Sequence, residues 1–222
     1  MMNKLPTKKQ LDKAIQGNVW DLGNNALYKL CRDNFEHDQP NKILAKTWII
    51  GRSYAVALER NKKKSEIINN DFYTKDVAST FMNQELNLDH RLNNLKRHKK
   101  VNMESLQETI ELHQDLTRKI IAITDHHNRS FSSKYLHFHL PRLFFIYDSR
   151  AANSLCNFIS RIPSDLSFLT RLDKVDKSYA TFVCKCYALQ TEIEKQYKIA
   201  LTPRQLDNVL IEIADERRRN TN

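Results

Sequence analysis

The sequence predicts an all-α fold, and three observations carry that prediction. Gly occurs three times and Pro five times in 222 residues, too few for the many tight turns of an all-β chain. Apolar residues recur at spacings of three and four through several long segments, the period of a helix with one buried face. Hydrophobic residues make up 41% of the chain and charged residues 28%, the balance of a folded domain and not of a disordered one. The length suits a single helical domain, 1–222, with two lobes of roughly 1–100 and 101–222 around a shared central cleft.

The elements follow in chain order. Thr7 caps a short basic helix that ends near Gly17, and a second short helix runs from Asn24 to Asn34. Pro40 precedes the run NKILAKTWIIGRSYAVALER, in which Leu44, Trp48, Gly51, Ala55 and Leu58 mark one buried face. Gly destabilises a helix interior by about 1 kcal/mol, so Gly51 marks a place where another backbone or a ligand comes close. Lys62, Lys63 and Lys64 read as a solvated helix end. Thr74 opens a helix carrying Val77, Phe81 and Leu88, continued by Leu92 and Leu95 and closed by NLKRHKK, the densest basic cluster in the chain. That cluster is either a polar loop or a phosphate contact. A long helix spans about 102–126, with Leu112, Leu116, Ile120 and Ile123 on one face. Ser164 caps a further segment, and another long helix runs through Tyr179, Phe182, Cys186, Leu189 and Ile193. The last helix starts with Thr202, Pro203 and Gln205, a capping box with Pro in the first turn. Leu206, Val209, Leu210 and Ile213 dock it, leaving Arg217, Arg218 and Arg219 as a tail.

The formal charge is +10 and the sequence pI about 9.4. Such a surplus favours a polyanionic partner over a merely basic soluble protein. Cys31, Cys156, Cys184 and Cys186 contain no CxxC pair, which points to reduced thiols in a cytoplasmic protein, with neither a disulfide framework nor a structural zinc site. MMNKLPTKKQ carries no apolar signal region, and no stretch approaches a membrane span. No membrane partner, obligate protein partner or cofactor is implied.

The segment NRSFSSKYLHFHLPRLFFIYDSRA, Asn128 to Ala151, crowds basic, histidine and aromatic side chains around one acid. Pro141 breaks helical continuity, giving a turn, a short helix from Phe131 to His137, an extended apolar link, and a new helix after Asp148. Asp148 is placed as an N-cap. It either satisfies only the helix end or is a partly buried acid pointing into a cleft. Lys134 meets solvent or phosphate, or acts as a nucleophile if a desolvated site lowers its pKa. His137 and His139 form an HxH pair that lacks further ligands at useful spacing, so packing or hydrogen bonding is the preferred reading and no metal is expected.

This segment resembles the core of helix-hairpin-helix DNA glycosylases, above all small bacterial proteins with an 8-oxoguanine-glycosylase-like fold. Ser130-Phe131-Ser132-Ser133-Lys134 looks like a counterpart of the Gly-x-Gly-x-Lys hairpin, and Ile146-Tyr147-Asp148 like the end of the link and its Asp. WIIGRSYAVALER upstream and LTPRQLD downstream are also similar, so the resemblance covers most of the chain. It implies a compact multi-helix glycosylase fold, double-stranded DNA as partner, and cleavage of the N-glycosidic bond of a flipped base. The base is damaged, or is a modified phage base, which would make the protein a defence enzyme. The implied roles are stabilisation of positive charge on the deoxyribose by Asp148 and attack on C1′ by Lys134.

Two departures from the family pattern carry consequences. Ser130 and Ser132 replace the hairpin glycines. Lys134 and Asp148 lie 14 residues apart, a shortening of about one helical turn that would aim Lys134 away and leave water as the nucleophile. Candidates for the base pocket are Trp20, Asn25, Trp48, Arg52, Tyr54, His137 and Tyr147, with a core position as the alternative for Trp48 and a salt bridge to Glu59 for Arg52. Candidates for DNA backbone contact are Arg129, Ser130, Ser132, Arg150, Lys96 and Arg97. A non-catalytic helical DNA-binding module is the competing reading.

Overall fold

Helices with well-defined caps organise the chain, as seen in a computed structural model that describes residues 4–221. Helix α1 (Lys8–Gln16) starts at a capping box between Thr7 and Gln10. It is followed by α2 (Asp21–Asp33) and α3 (Pro40–Ser53), the latter with Pro in its first turn. A 3₁₀ turn at Leu58–Asn61 leads to α4 (Asn69–Asp71), a π-helical turn at Phe72–Val77, and α5 (Ala78–Phe81). Helices α6 (Leu88–Leu95), α7 (Met103–Thr124), α8 (Arg129–His139) and α9 (Ser149–Leu155) come next. A 3₁₀ turn at Ser164–Thr170 then precedes α10 (Lys177–Tyr197) and α11 (Pro203–Thr221). The fold is all-helical, with no strand among the described residues.

Buried apolar side chains form two clusters. One joins α1 to the start of α7 and to everything from Phe145 to Ile213. The other gathers α2 to α6, the second half of α7, α8, and the link after it as far as Phe144. Helix α7 therefore runs through both, and the link after α8 passes from one cluster to the other between Phe144 and Phe145. The residues with chemical potential lie on this crossing.

Three expectations about the N-terminal half need correction. The buried face of α3 is Ile43, Lys46, Thr47, Ile50 and Gly51, one step away from the apolar stripe, and Trp48 is 46% exposed. The cause is Lys46. Its fully buried ammonium donates to the carbonyls of Asn34, Phe35 and Glu36 at 2.7, 3.1 and 3.2 Å, satisfying the orphan end of α2. Helix α3 also ends at Ser53, because Ala55 takes a left-handed conformation at φ 55°. The helix foreseen from Thr74 to Leu95 begins at Asn69 and breaks before Asn87, itself left-handed at φ 45°.

Other expectations hold. A Cβ on Gly51 would stand 3.0 Å from the Ala57 backbone, so the close approach of a second backbone is real. Thr202 and Gln205 exchange hydrogen bonds at the start of α11. The helix continues through Arg217, Arg218 and Arg219, which are therefore not an extended tail. Cys31, Cys184 and Cys186 are buried, Cys156 is exposed, and none is in a disulfide. No helix among the described residues is long and apolar enough to cross a membrane.

Candidate active site

Helix α8 places Lys134 inward, with only 3% of the residue exposed. Its ammonium donates to the Ser130 hydroxyl one turn earlier, at 2.6 Å, and to the Tyr147 carbonyl on the link, at 3.0 Å. The next residue on the link is Asp148, which caps α9 by accepting from the Arg150 backbone N–H at 2.9 Å. Its Oδ2 lies 4.0 Å from the Lys134 Nζ. The short spacing of 14 residues therefore does not turn Lys134 away. The extended link doubles back along α8, held by the Ser133 hydroxyl, which accepts from the Tyr147 N–H at 2.9 Å.

Burial lowers the pKa of Lys134 below the ordinary lysine range, with Asp148 and Asp207 pulling the other way. The carboxylate of Asp148 is 30% exposed, while the amine beside it is buried. The expected central cleft is not open at this point. Tyr54 stands over the amine with its ring centre 5.7 Å from Nζ. Surface concavities of 220 and 350 Å³ lie elsewhere, one between α6 and α7 and the other beside Lys96 and Pro141, and neither reaches Lys134.

A directed hydrogen-bond network covers the amine. Arg204, in the first turn of α11, donates through Nε to the Tyr28 hydroxyl at 3.1 Å and through Nη2 to the Tyr54 hydroxyl at 3.0 Å. Tyr54 donates onward to Asn24 Oδ1 at 2.5 Å. Tyr28 lies 2.7 Å from His137 Nε2, and His137 Nδ1 lies 2.8 Å from the Phe144 carbonyl. A carbonyl can only accept, so Nδ1 carries the proton and Nε2 accepts from Tyr28. Arg204 is paired with Asp207 at 3.2 Å, and Asp207 Oδ1 is buried without a partner. Burial raises the pKa of Asp207 despite Arg204 and Lys134, and burial likewise raises both phenols, so Tyr28 and Tyr54 remain hydrogen-bond donors.

The other candidates divide by location. Tyr54 and His137 join the network, and the Tyr147 carbonyl holds Lys134 while its ring packs edge-on against Phe182. Asn25 is exposed, and its buried neighbour Asn24 is the residue that faces the site. Trp20 is 74% exposed and Trp48 points outward too, so neither is a pocket wall. Arg52 is held by a salt bridge to the buried carboxylate of Glu59. Ser130 and Ser132 lie inside α8 and not in a loop; the connection before it runs over Asp125–Asn128. Ser132 is fully buried, beyond reach of a phosphate, and Ser130 is spent on Lys134 and the Tyr147 carbonyl. Arg129 is tied to Asp176 at 2.5 Å, and Arg97 to Glu108 at 2.5 Å. Arg150 reaches Asp215 at 3.2 Å, and Lys96 sits 3.4 Å over the Phe35 ring. His139 donates to the Tyr135 carbonyl at 2.8 Å, separate from His137, so the two histidines do not converge on one point.

Arg204, Asp207, Tyr28 and Asn24 had not been singled out. The usable signal was Asp207, an acid set between Pro203, Leu206 and Leu210 on the docking face of α11. No family model, curated protein or solved structure matches the chain, so the likeness to glycosylases rests on the quoted motifs.

Proposed function

We propose that the protein is a DNA glycosylase of the helix-hairpin-helix type, with Lys134 as nucleophile and Asp148 as general base, acting on a flipped base of double-stranded DNA. The observation that carries this reading is a desolvated amine 4.0 Å from a partly exposed carboxylate. A lysine needs a lowered pKa to attack as a neutral amine, and burial supplies one here. The amine attacks C1′ as the N-glycosidic bond breaks, and the bond's electron pair leaves with the base, which takes up a proton. Asp148 stabilises the positive charge that grows on the sugar and accepts the proton released from the attacking nitrogen. Loss of the C1′–O4′ bond, with proton uptake at O4′, then gives the Schiff base. Tyr54 must swing aside to admit the nucleotide. The net charge of +10 suits the phosphate backbone, and a damaged base or a modified phage base is the substrate class.

The test is abasic-site formation in genomic and phage DNAs carrying different base modifications. The wild type is expected to make sites in at least one of them, and Asp148→Asn to lose at least about 100-fold of that activity. Asn caps a helix as well as Asp, so the variant keeps its fold. The closed cover over Lys134 favours the competing reading, a DNA-binding module without chemistry. That reading predicts salt-sensitive binding that leaves every base in place and is indifferent to Asp148→Asn.

A further inference from the structure

Tyr54, which stands over Lys134, sits where the chain can turn. It is the first residue beyond α3, with its N–H on the Ile50 carbonyl at 3.1 Å. Ala55 follows at φ 55°, a left-handed conformation that crowds any residue with a Cβ. Ser53 and Ala55 are exposed and Tyr54 is half-buried, so its ring faces an outward path free of core residues. Tyr28 is placed differently. It lies in the middle of α2, packed on the Phe138 ring at 4.8 Å and bonded to His137, and cannot move without the helix. Two hydrogen bonds hold the Tyr54 hydroxyl, which donates to Asn24 Oδ1 at 2.5 Å and accepts from Arg204 Nη2 at 3.0 Å. Both partners are fixed without it. Asn24 is built into α2, and Arg204 keeps Tyr28 and Asp207. Releasing Tyr54 therefore breaks two bonds and leaves the frame around the amine in place.

We propose that Tyr54 is a gate over Lys134, hinged at Ala55 and latched by Asn24 and Arg204, which opens transiently in the free protein. What the gate admits rests on the glycosylase reading; that it opens does not. The hinge favours opening, because a left-handed alanine is strained and relaxes as the ring swings out. The latch opposes it, because the buried Asn24 oxygen loses its donor when the hydroxyl leaves. The balance keeps the amine dry and shielded from stray electrophiles, yet within reach of a minor open population that a ligand can select. Asp148, already part-exposed beside the amine, needs no such movement.

Reductive methylation of the free protein with formaldehyde and cyanoborohydride tests the gate, since an amine reacts only when neutral and accessible. The rate at Lys134 is read by peptide mass spectrometry against Lys46, a fully buried amine that caps α2 and has no contact with Tyr54. Tyr54→Phe keeps the ring and removes the latch. It is expected to speed methylation of Lys134 by about 10-fold or more and to leave Lys46 unchanged. Ala55→Gly removes the strain of the closed form and is expected to slow Lys134 about three-fold. Equal rates at Lys134 in the wild type and Tyr54→Phe would overturn the gate. A parallel rise at Lys46 would overturn it too, because it marks a general loosening of the fold. Faster methylation in Ala55→Gly would overturn the hinge. No DNA is present, so each of these results leaves the glycosylase reading to stand or fall on abasic-site formation.

Discussion

Lowering the pH from 7.5 to 5.5 should destabilise this protein by about 4 kcal/mol, through its buried histidines. His113, His137 and His139 are buried, and each is held in the neutral form by desolvation. His113 is pushed down to about 4, with its Nε2–H donated to the Arg129 carbonyl at 3.0 Å. His137 and His139 lie well below the ordinary histidine value. The unfolded chain takes up a proton at each near pH 6.5, and the folded chain does not. Unfolding therefore binds protons across this window, and stability is fully present above about pH 7.5 and lost as pH falls. Each histidine contributes about 1.4 kcal/mol between pH 7.5 and 5.5, and the three together are a large fraction of the roughly 5–15 kcal/mol stability of an ordinary domain. His37, also lowered by burial, adds to the trend, and Asp207, raised by burial, opposes it in the more acid range. Urea denaturation at closely spaced pH values reads the slope. His139→Phe keeps an aromatic ring against Phe35, His37 and Tyr135 and should flatten it by about 1.4 kcal/mol per pH unit below pH 6. A midpoint that does not move between pH 7.5 and 5.5 would refute the buried, neutral assignment.

Three further outcomes follow from the packing. Arg204→Met should destabilise by about 3 kcal/mol, because it strands the Asp207 carboxylate, whereas the double variant with Asp207→Asn should recover much of the loss; urea midpoints of the two separate these effects. Thr202→Ala removes the cap on the N–H of Gln205 and should lower stability by about 1 kcal/mol, with amide exchange accelerated in the first turn of α11. Gly51→Ala sets a methyl 3.0 Å from the Ala57 backbone, and the resulting strain of about 1–3 kcal/mol should outweigh the gain in helix propensity, giving a lower melting temperature.

Local signals in the sequence identified what depends on neighbours in the chain. Thr7, Thr202 and Asp148 announced their helix starts because a cap acts over two or three residues. Asp148 was legible for the same reason, as an acid at a helix start, whereas Lys134 was singled out through the likeness to the hairpin lysine. What escaped notice was long-range. Arg204 meets Tyr54 and Tyr28 across 150 and 176 residues, a pairing no periodicity encodes. Lys46 belongs to the buried face of α3, where its ammonium caps α2, so a stripe drawn through Trp48 missed that face by one residue. In α2 it is Asn24, not Asn25, that is buried toward the network. Serines were assigned to a hairpin by analogy with glycines, yet Ser130 and Ser133 have become the fastenings that bring the Tyr147 link, and with it Asp148, back to Lys134.

The central claim is that the Lys134 amine meets C1′ of an extruded nucleotide, and reductive trapping tests it most directly. A duplex bearing a natural aldehyde abasic site is incubated with the protein and borohydride, and the cross-linked peptide is sequenced by mass spectrometry. The account predicts a covalent adduct on Lys134, absent from Lys134→Met while that variant remains folded. An adduct on another lysine, or binding of the duplex with no adduct at all, would contradict it.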